Sequence, residues 1–203
     1  HGFTKGLLFL GSGSVIHSVD GEQDMNKMGA LRKKIPITHW TFLIAALSLS
    51  GIPLFAGFFS KDAILGESFI FGYWPVFAVG LVVAGMTGFY MFRLMGKTFY
   101  GESHVDPAVE PHVHESPRSM TVPLILLAVG AVVLGFLGTP ACPWLQARLG
   151  GTELHSSMGH LFEGGGLMLL SIVLVGAGLG AGWWLYGRQL RQQAGALDPL
   201  AAA

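Results

Sequence analysis

The apolar run from about Ile37 to Phe71 covers 35 residues, well beyond the roughly 20 that a straight helix needs to cross a bilayer core. It is interrupted in its middle by Gly51-Ile52-Pro53-Leu54-Phe55-Ala56-Gly57, and Lys61-Asp62 follow at once. Pro53 removes a backbone donor and crowds the preceding turn, Gly51 and Gly57 loosen the helix on either side, and hydrocarbon rejects the charge of Lys61. Length and interruption explain each other. Two half-helices joined by an unwound turn at mid-depth spend one long segment on one crossing, and irregular backbone is tolerated there only where protein or water satisfies it. A helix break followed by an ion pair in an apolar run predicts a route for ions.

Composition supports a membrane setting. Hydrophobic residues make up 51% of the chain and charged ones 12%, and mean hydropathy is +0.55, outside the usual range of a soluble domain. Twelve basic and twelve acidic residues cancel, so neither a basic field for nucleic acid nor an acidic one for a cationic partner exists. Cys142 is the single cysteine, which excludes an internal disulfide and any cysteine-built metal or redox centre. No start methionine, charged leader or cleavage site precedes the first apolar run. The sequence is therefore expected to be a piece of a longer protein, cut within a helix.

Five spans are predicted, giving an all-α polytopic transmembrane bundle that forms one domain over residues 1–203. They are residues 3–18, the interrupted run at 37–71, Trp74 to Phe99 with aromatic residues towards both ends, Ser119 to Gly138, and Gly164 to Tyr186. Pro123 falls near the start of the fourth, where its missing donor does least harm. Between them lie a charged loop from Asp20 to Lys34, a prolyl, acidic stretch at 101–118 that reads as a solvated linker, and a mixed loop from Thr139 to Glu163. Residues 187–203 begin a further segment. If each span crosses once, the loops and flanking turns at 19–38, 93–118 and 187–203 share a face that holds nine of the twelve basic residues, and the other face holds only Arg148. The positive-inside rule puts 19–38, 97–118 and 187–203 in the cytoplasm.

Two lysines remain inside the spans, Lys5 and Lys61. Desolvation makes an ammonium at depth costly and eases loss of its proton, so a buried lysine suits a proton station. The plainer readings are snorkelling to an interface or a static pair with a neighbour such as Asp62. His1 lies four residues before Lys5, which puts both on one helix face, and Ser12 falls within about 20° of His1, whereas His17 lies nearly opposite. An imidazole beside Lys5 can relay protons over a short gap or through one water.

Three ordered stretches carry a family likeness: His1-Gly-Phe-Thr-Lys5 continuing to His17, Asp24-Met-Asn-Lys-Met-Gly-Ala-Leu-Arg-Lys33, and Ile52-Pro-Leu-Phe-Ala-Gly-Phe-Phe-Ser-Lys61-Asp62-Ala-Ile-Leu65. The chain resembles the antiporter-like membrane subunits of respiratory complex I, most of all the distal L-type ones, from His1 to about Leu65, and beyond Tyr73 in topology alone. The resemblance implies that His1 and Lys5 are the relay histidine and central proton carrier. It implies that Lys61, with Asp62, gates release to the outer face of a bacterial inner membrane. It also implies proton transport coupled to NADH:quinone electron transfer in other subunits, where NADH, FMN, iron–sulfur clusters and quinone belong, with no cofactor or metal in this chain. The partners it implies are the other membrane subunits of the complex, especially a neighbouring antiporter-like one, together with lipid and protons. The large subunit of a multisubunit cation/proton antiporter shares these motifs and stays open as an alternative.

A solute transporter or a structural scaffold is the competing class, disfavoured by the scarcity of polar side chains along the spans. His104, His112 and His114 offer a metal reading, but their acidic, prolyl loop makes solvation the default. Gly176, Gly178, Gly180 and Gly182 supply small faces for helix packing. Glu67 lies past the break and is a minor candidate for the path.

Overall fold

The structure is a computed structural model and describes residues 1–53, 55–136 and 165–186. Among these, all regular structure is helical. The main helices are α1 (Gly2–Ser18), α2 (Pro36–Ser50), α3 (Ala56–Ile70), α4 (Trp74–Phe99), α5 (Arg118–Phe136) and α6 (Gly165–Tyr186), with short 3₁₀ turns at Met25–Lys27, Leu31–Lys33 and Glu110–His112. The predicted loop at 139–163, with Cys142 and Arg148, and the segment 187–203 lie outside the described residues.

Two stretches, Trp74–Phe99 and Leu169–Tyr186, are long and apolar enough to cross a membrane, and α2 is a shorter apolar helix. Their outward faces are hydrophobic: Val79, Val82, Val83 and Met86 on α4 and Val173, Trp183 and Trp184 on α6 are exposed. A contiguous apolar surface of this kind suits lipid or a protein neighbour, not water.

The bundle is organised around α2, which touches α1, α3, α4 and α5. The pattern on α1 explains its seat: Thr4, Leu7, Gly11, Ser14 and Ser18 recur every three or four residues and are all buried. Small residues at this spacing bring helices close and put their hydroxyls in contact. The α4–α6 pair uses the same device. A side chain on Gly178 would run into the Gly85 carbonyl oxygen, whereas Gly176 and Gly180 face open space. Only part of the predicted glycine stripe is therefore a packing face.

The stretch 101–118 is less solvated than its composition predicts. Val105 and Val113 are buried in a core with Val15, Leu31, Ile35 and Phe99. The Lys34 ammonium donates to the Glu110 carbonyl at 2.8 Å, and the His104 N–H donates to the Met28 carbonyl at 3.1 Å. The two valines, spaced among acids and prolines, pin a polar segment onto the 28–35 turn.

Candidate functional site

Helix α2 stops at Ser50, Gly51 takes a left-handed conformation at φ +83°, and α3 starts at Ala56. Glycine is the residue for which that conformation costs least. The Ile52 N–H turns back to the Leu47 carbonyl at 3.2 Å, which closes the end of α2. Two carbonyls of the last turn point onward, and Lys61 takes them: its ammonium donates to Leu49 O at 2.7 Å and to Ser50 O at 3.5 Å. A cation at a helix C-terminus is favoured by the aligned peptide dipoles.

Lys61 and Asp62 do not form the ion pair expected from their adjacency. Neighbours on a helix point about 100° apart, so the two side chains reach different partners. Asp62 faces α6, where the Ser171 hydroxyl donates to Oδ1 at 3.3 Å. Both Lys61 and Asp62 are half-buried, and Glu67 is exposed. The start of α3 is held to α2 by Ser48, whose hydroxyl accepts the Gly57 N–H at 3.3 Å and meets the Thr4 hydroxyl of α1 at 3.2 Å. A Cβ on Gly57 would collide with the Ser48 carbonyl, so this crossing needs glycine. Pro53 sits in the non-helical link, where no helical hydrogen bond is lost to it.

His1, at the N-cap of α1, and Lys5 and Ser12 within it are all exposed. The buried polar residue of that turn is Thr4. The interior of this set of helices therefore does not enclose Lys5, and Lys5 and Lys61 are not brought together.

Several polar residues that charge and breaker patterns do not flag are buried in the bundle. The first turn of α2 carries Pro36, which offers no N–H, and Ile35 before it has no capping side chain. The cap comes from Glu115, which accepts the Ile37 N–H at 2.7 Å and the Thr38 N–H at 3.4 Å, and also the Thr38 hydroxyl at 2.6 Å. Thr38 in turn lies 2.7 Å from the Ser14 hydroxyl, which donates to Ser116 at 2.7 Å. Nearby, His39 is 1% exposed, its Nε2 is 3.1 Å from the Tyr100 hydroxyl, and its Nδ1 has no partner. The recurrence of Thr and Ser along α1 and α2 was the available signal. Glu115, 77 positions from Thr38, had none.

These contacts define a helical membrane-protein segment with a lysine against the C-terminal carbonyls of α2 and hydroxyl clusters along one seam. Residues 1–87 match the transmembrane family described as NADH:quinone oxidoreductase/Mrp antiporter. It is 43% identical over 194 residues to NADH-quinone oxidoreductase subunit L of Mycobacterium tuberculosis, covering 92% of this chain and 30% of the relative. It is 46% identical over 148 residues to subunit L of Rhodobacter capsulatus, covering 68% of this chain and 21% of that protein. Against the chloroplastic NAD(P)H-quinone oxidoreductase subunit 5 of Chaetosphaeridium globosum it is 47% identical over 153 residues, covering 69% and 22%. The chain thus spans less than a third of the length of these relatives.

Proposed function

We propose that the chain is part of an antiporter-like subunit of complex I that carries protons across a bacterial inner membrane, driven by NADH:quinone electron transfer in other subunits. The observation that carries this reading is the seat of Lys61. Its ammonium rests on two carbonyls freed by the end of α2, held by hydrogen bonds and dipole and not by a fixed carboxylate. Such a charge is stabilised without being locked, and it can lose its proton when neighbouring charges move. On this reading α2 and α3 are the halves of one discontinuous crossing, the chain makes five crossings, and Lys61 with Asp62 gates release at the outer face.

Lys5 and His1 are the centre and relay of the path. Their exposed face on α1 is covered, on this reading, by protein in the assembled complex, because a lipid-facing ammonium at that depth is costly. The 19–38 and 97–118 segments lie on the cytoplasmic side, following the excess of lysine and arginine there. NADH, FMN, iron–sulfur clusters and quinone sit in partner subunits.

Lys61→Met in the intact complex is the test. Proton pumping is expected to fall at unchanged electron flux into the membrane arm, and wild-type pumping in that variant would remove Lys61 from the path. Lys5→Arg keeps the charge but cannot release its proton, and is expected to block transfer in the same assay. A cation/proton antiporter is the second reading, favoured by the family's description, which names both kinds of protein.

A further inference from the structure

Helices α2, α4 and α6 leave an apolar groove of about 450 Å³ between them, a size that takes one small or single-chain ligand. Its walls include Leu43 and Leu47 of α2, Met91 and Met95 of α4, and Leu179 and Trp183 of α6, and no charged side chain among the described residues lines it. One end is formed by Tyr100 and Gly101, just past α4, and the other lies at the level of Met91 and Ser50. From Met91 to Tyr100 the chain rises roughly 14 Å. Half of a hydrocarbon core about 30 Å thick is nearly the same length, so the groove has the depth of one leaflet.

The Tyr100 end is positively charged. The Arg32 guanidinium carbon sits 5.6 Å from the centre of the Tyr100 ring, and Lys33 follows it in the chain. Both are exposed, and among the described residues neither is tied to a carboxylate. Arg93 and Lys97 add charge on the α6 side, over the Tyr186 ring. Acids of the adjoining turns are already committed: Glu110 to Lys34 at 3.3 Å, Glu22 to Lys27 at 3.0 Å, and Glu115 to the first turn of α2. Tyr100 is held by His39, whose Nε2 lies 3.1 Å from its hydroxyl. An aromatic rim with uncommitted cations at the mouth of an apolar slot matches the headgroup level of a phospholipid.

We propose that this groove binds an anionic phospholipid, with one acyl chain between α2, α4 and α6 and the phosphate at Arg32 and Lys33. Length and charge together select a lipid over a partner's helix. The slot is one leaflet deep and its cations gather at one end, whereas a spanning helix would run past both limits. The proposal uses the membrane setting of the chain and neither lysine of the proton path.

The test is photolabelling of the full-length protein in its purified complex, with phosphatidylglycerol that carries a diazirine at the end of one acyl chain. Label is expected on Leu47 and Met91, and excess unlabelled phosphatidylglycerol should displace it where phosphatidylcholine does not. Val79 and Val83, exposed on α4, are the control, because lipid that merely surrounds the protein labels them without saturating. Arg32→Gln is expected to raise the phosphatidylglycerol concentration for half displacement about fivefold, the effect of one cation at a membrane surface. Leu47→Trp fills the slot from a half-buried position and should remove the label on Met91. Equal displacement by the two lipids, unchanged in Arg32→Gln, overturns the phosphate site. Groove label that never saturates, or that persists on Met91 in Leu47→Trp, overturns the acyl site. So does a cross-link from Leu47→p-benzoylphenylalanine to another polypeptide, which would make the occupant a protein.

Discussion

The two ends of α2 are both polar, but they are built in opposite ways. At its C-terminus the backbone is open: Gly51 turns left-handed, two carbonyls are freed, and one flexible cation reaches back to them from the next helix. At its N-terminus the backbone is closed, with the first-turn N–H groups capped by a carboxylate from residue 115 and the hydroxyls of Thr38, Ser14 and Ser116 tied into one set. The open end is made from residues within about a dozen positions of one another, and the closed end from three separate stretches.

The largest break in this contrast is expected from Gly57→Ala. Its methyl group would meet the Ser48 carbonyl, and a backbone atom cannot swing aside as a side chain can. Overpacking of this kind costs about 3 kcal/mol at the upper end, and the Ser48 bonds to Gly57 and Thr4 would loosen with it. Denaturation of the purified protein in detergent should show the loss. A Gly57→Ala variant as stable as wild type would mean that the open end is not fixed by the α2–α3 crossing.

Thr38→Val tests the closed end and ranks second. It keeps the shape of the side chain and removes the hydroxyl that joins Glu115 to Ser14. The partners left behind are buried or half-buried, so about 2 kcal/mol is expected, against about 1 kcal/mol for Thr4→Val, which deletes one neutral contact. Equal losses for the two would show that the contacts of this cluster act as separate pairs and not as a set.

Gly51→Ala comes third. An alanine held at φ +83° pays about 1 kcal/mol for the left-handed conformation, and its methyl would sit 3.2 Å from the Lys61 stem. The stem is flexible and can yield, so the stability loss should stay near that figure while the ammonium shifts on its carbonyls. Comparing stability with pumping in this variant separates the fold's need for glycine from that of the gate proposed at Lys61.

These two ends also differ in how far the sequence discloses them. Helix breakers and a charge in an apolar run are local signals, and α2 ends and α3 starts around them, whereas Trp74 to Phe99 was legible from its apolar length and aromatic ends. What local reading missed was direction: adjacency suggested that Lys61 and Asp62 pair, whereas helical geometry sends them to α2 and α6. It also missed that His1 and Lys5 are exposed in this set of helices. The closed end was illegible for a different reason. Serine and threonine are ordinary in apolar helices, and nothing in the 101–118 composition marks Glu115 apart from Glu102, Asp106 or Glu110. Only the buried valines of that segment, Val105 and Val113, carried a trace of its docking.

The smallest effect is expected away from both ends, at the Lys27–Glu22 pair, which spans 3.0 Å on the surface of the Asp20–Lys34 loop. The Asp24 backbone N–H first, and then the Lys27 ammonium, hold the Glu22 carboxyl below its ordinary value, while the Glu22 carboxylate raises the Lys27 ammonium. A carboxyl lowered in the folded state adds stability above its unfolded value, about 4.3, and loses it as pH falls through the lower folded one. The raised ammonium adds stability below its unfolded value, about 10.4, and loses it as pH rises through the folded one. Between those limits Lys27→Gln should leave unfolding nearly unchanged, because exposed pairs contribute little and salt screens them. Because the Asp24 N–H is the larger cause, the Glu22 titration, followed by carboxyl-selective NMR, should stay depressed in Lys27→Gln. If it returns to the ordinary carboxylate value, the cation and not the backbone holds this loop, and even its simplest turn would depend on charge pairing in the way the open end of α2 does.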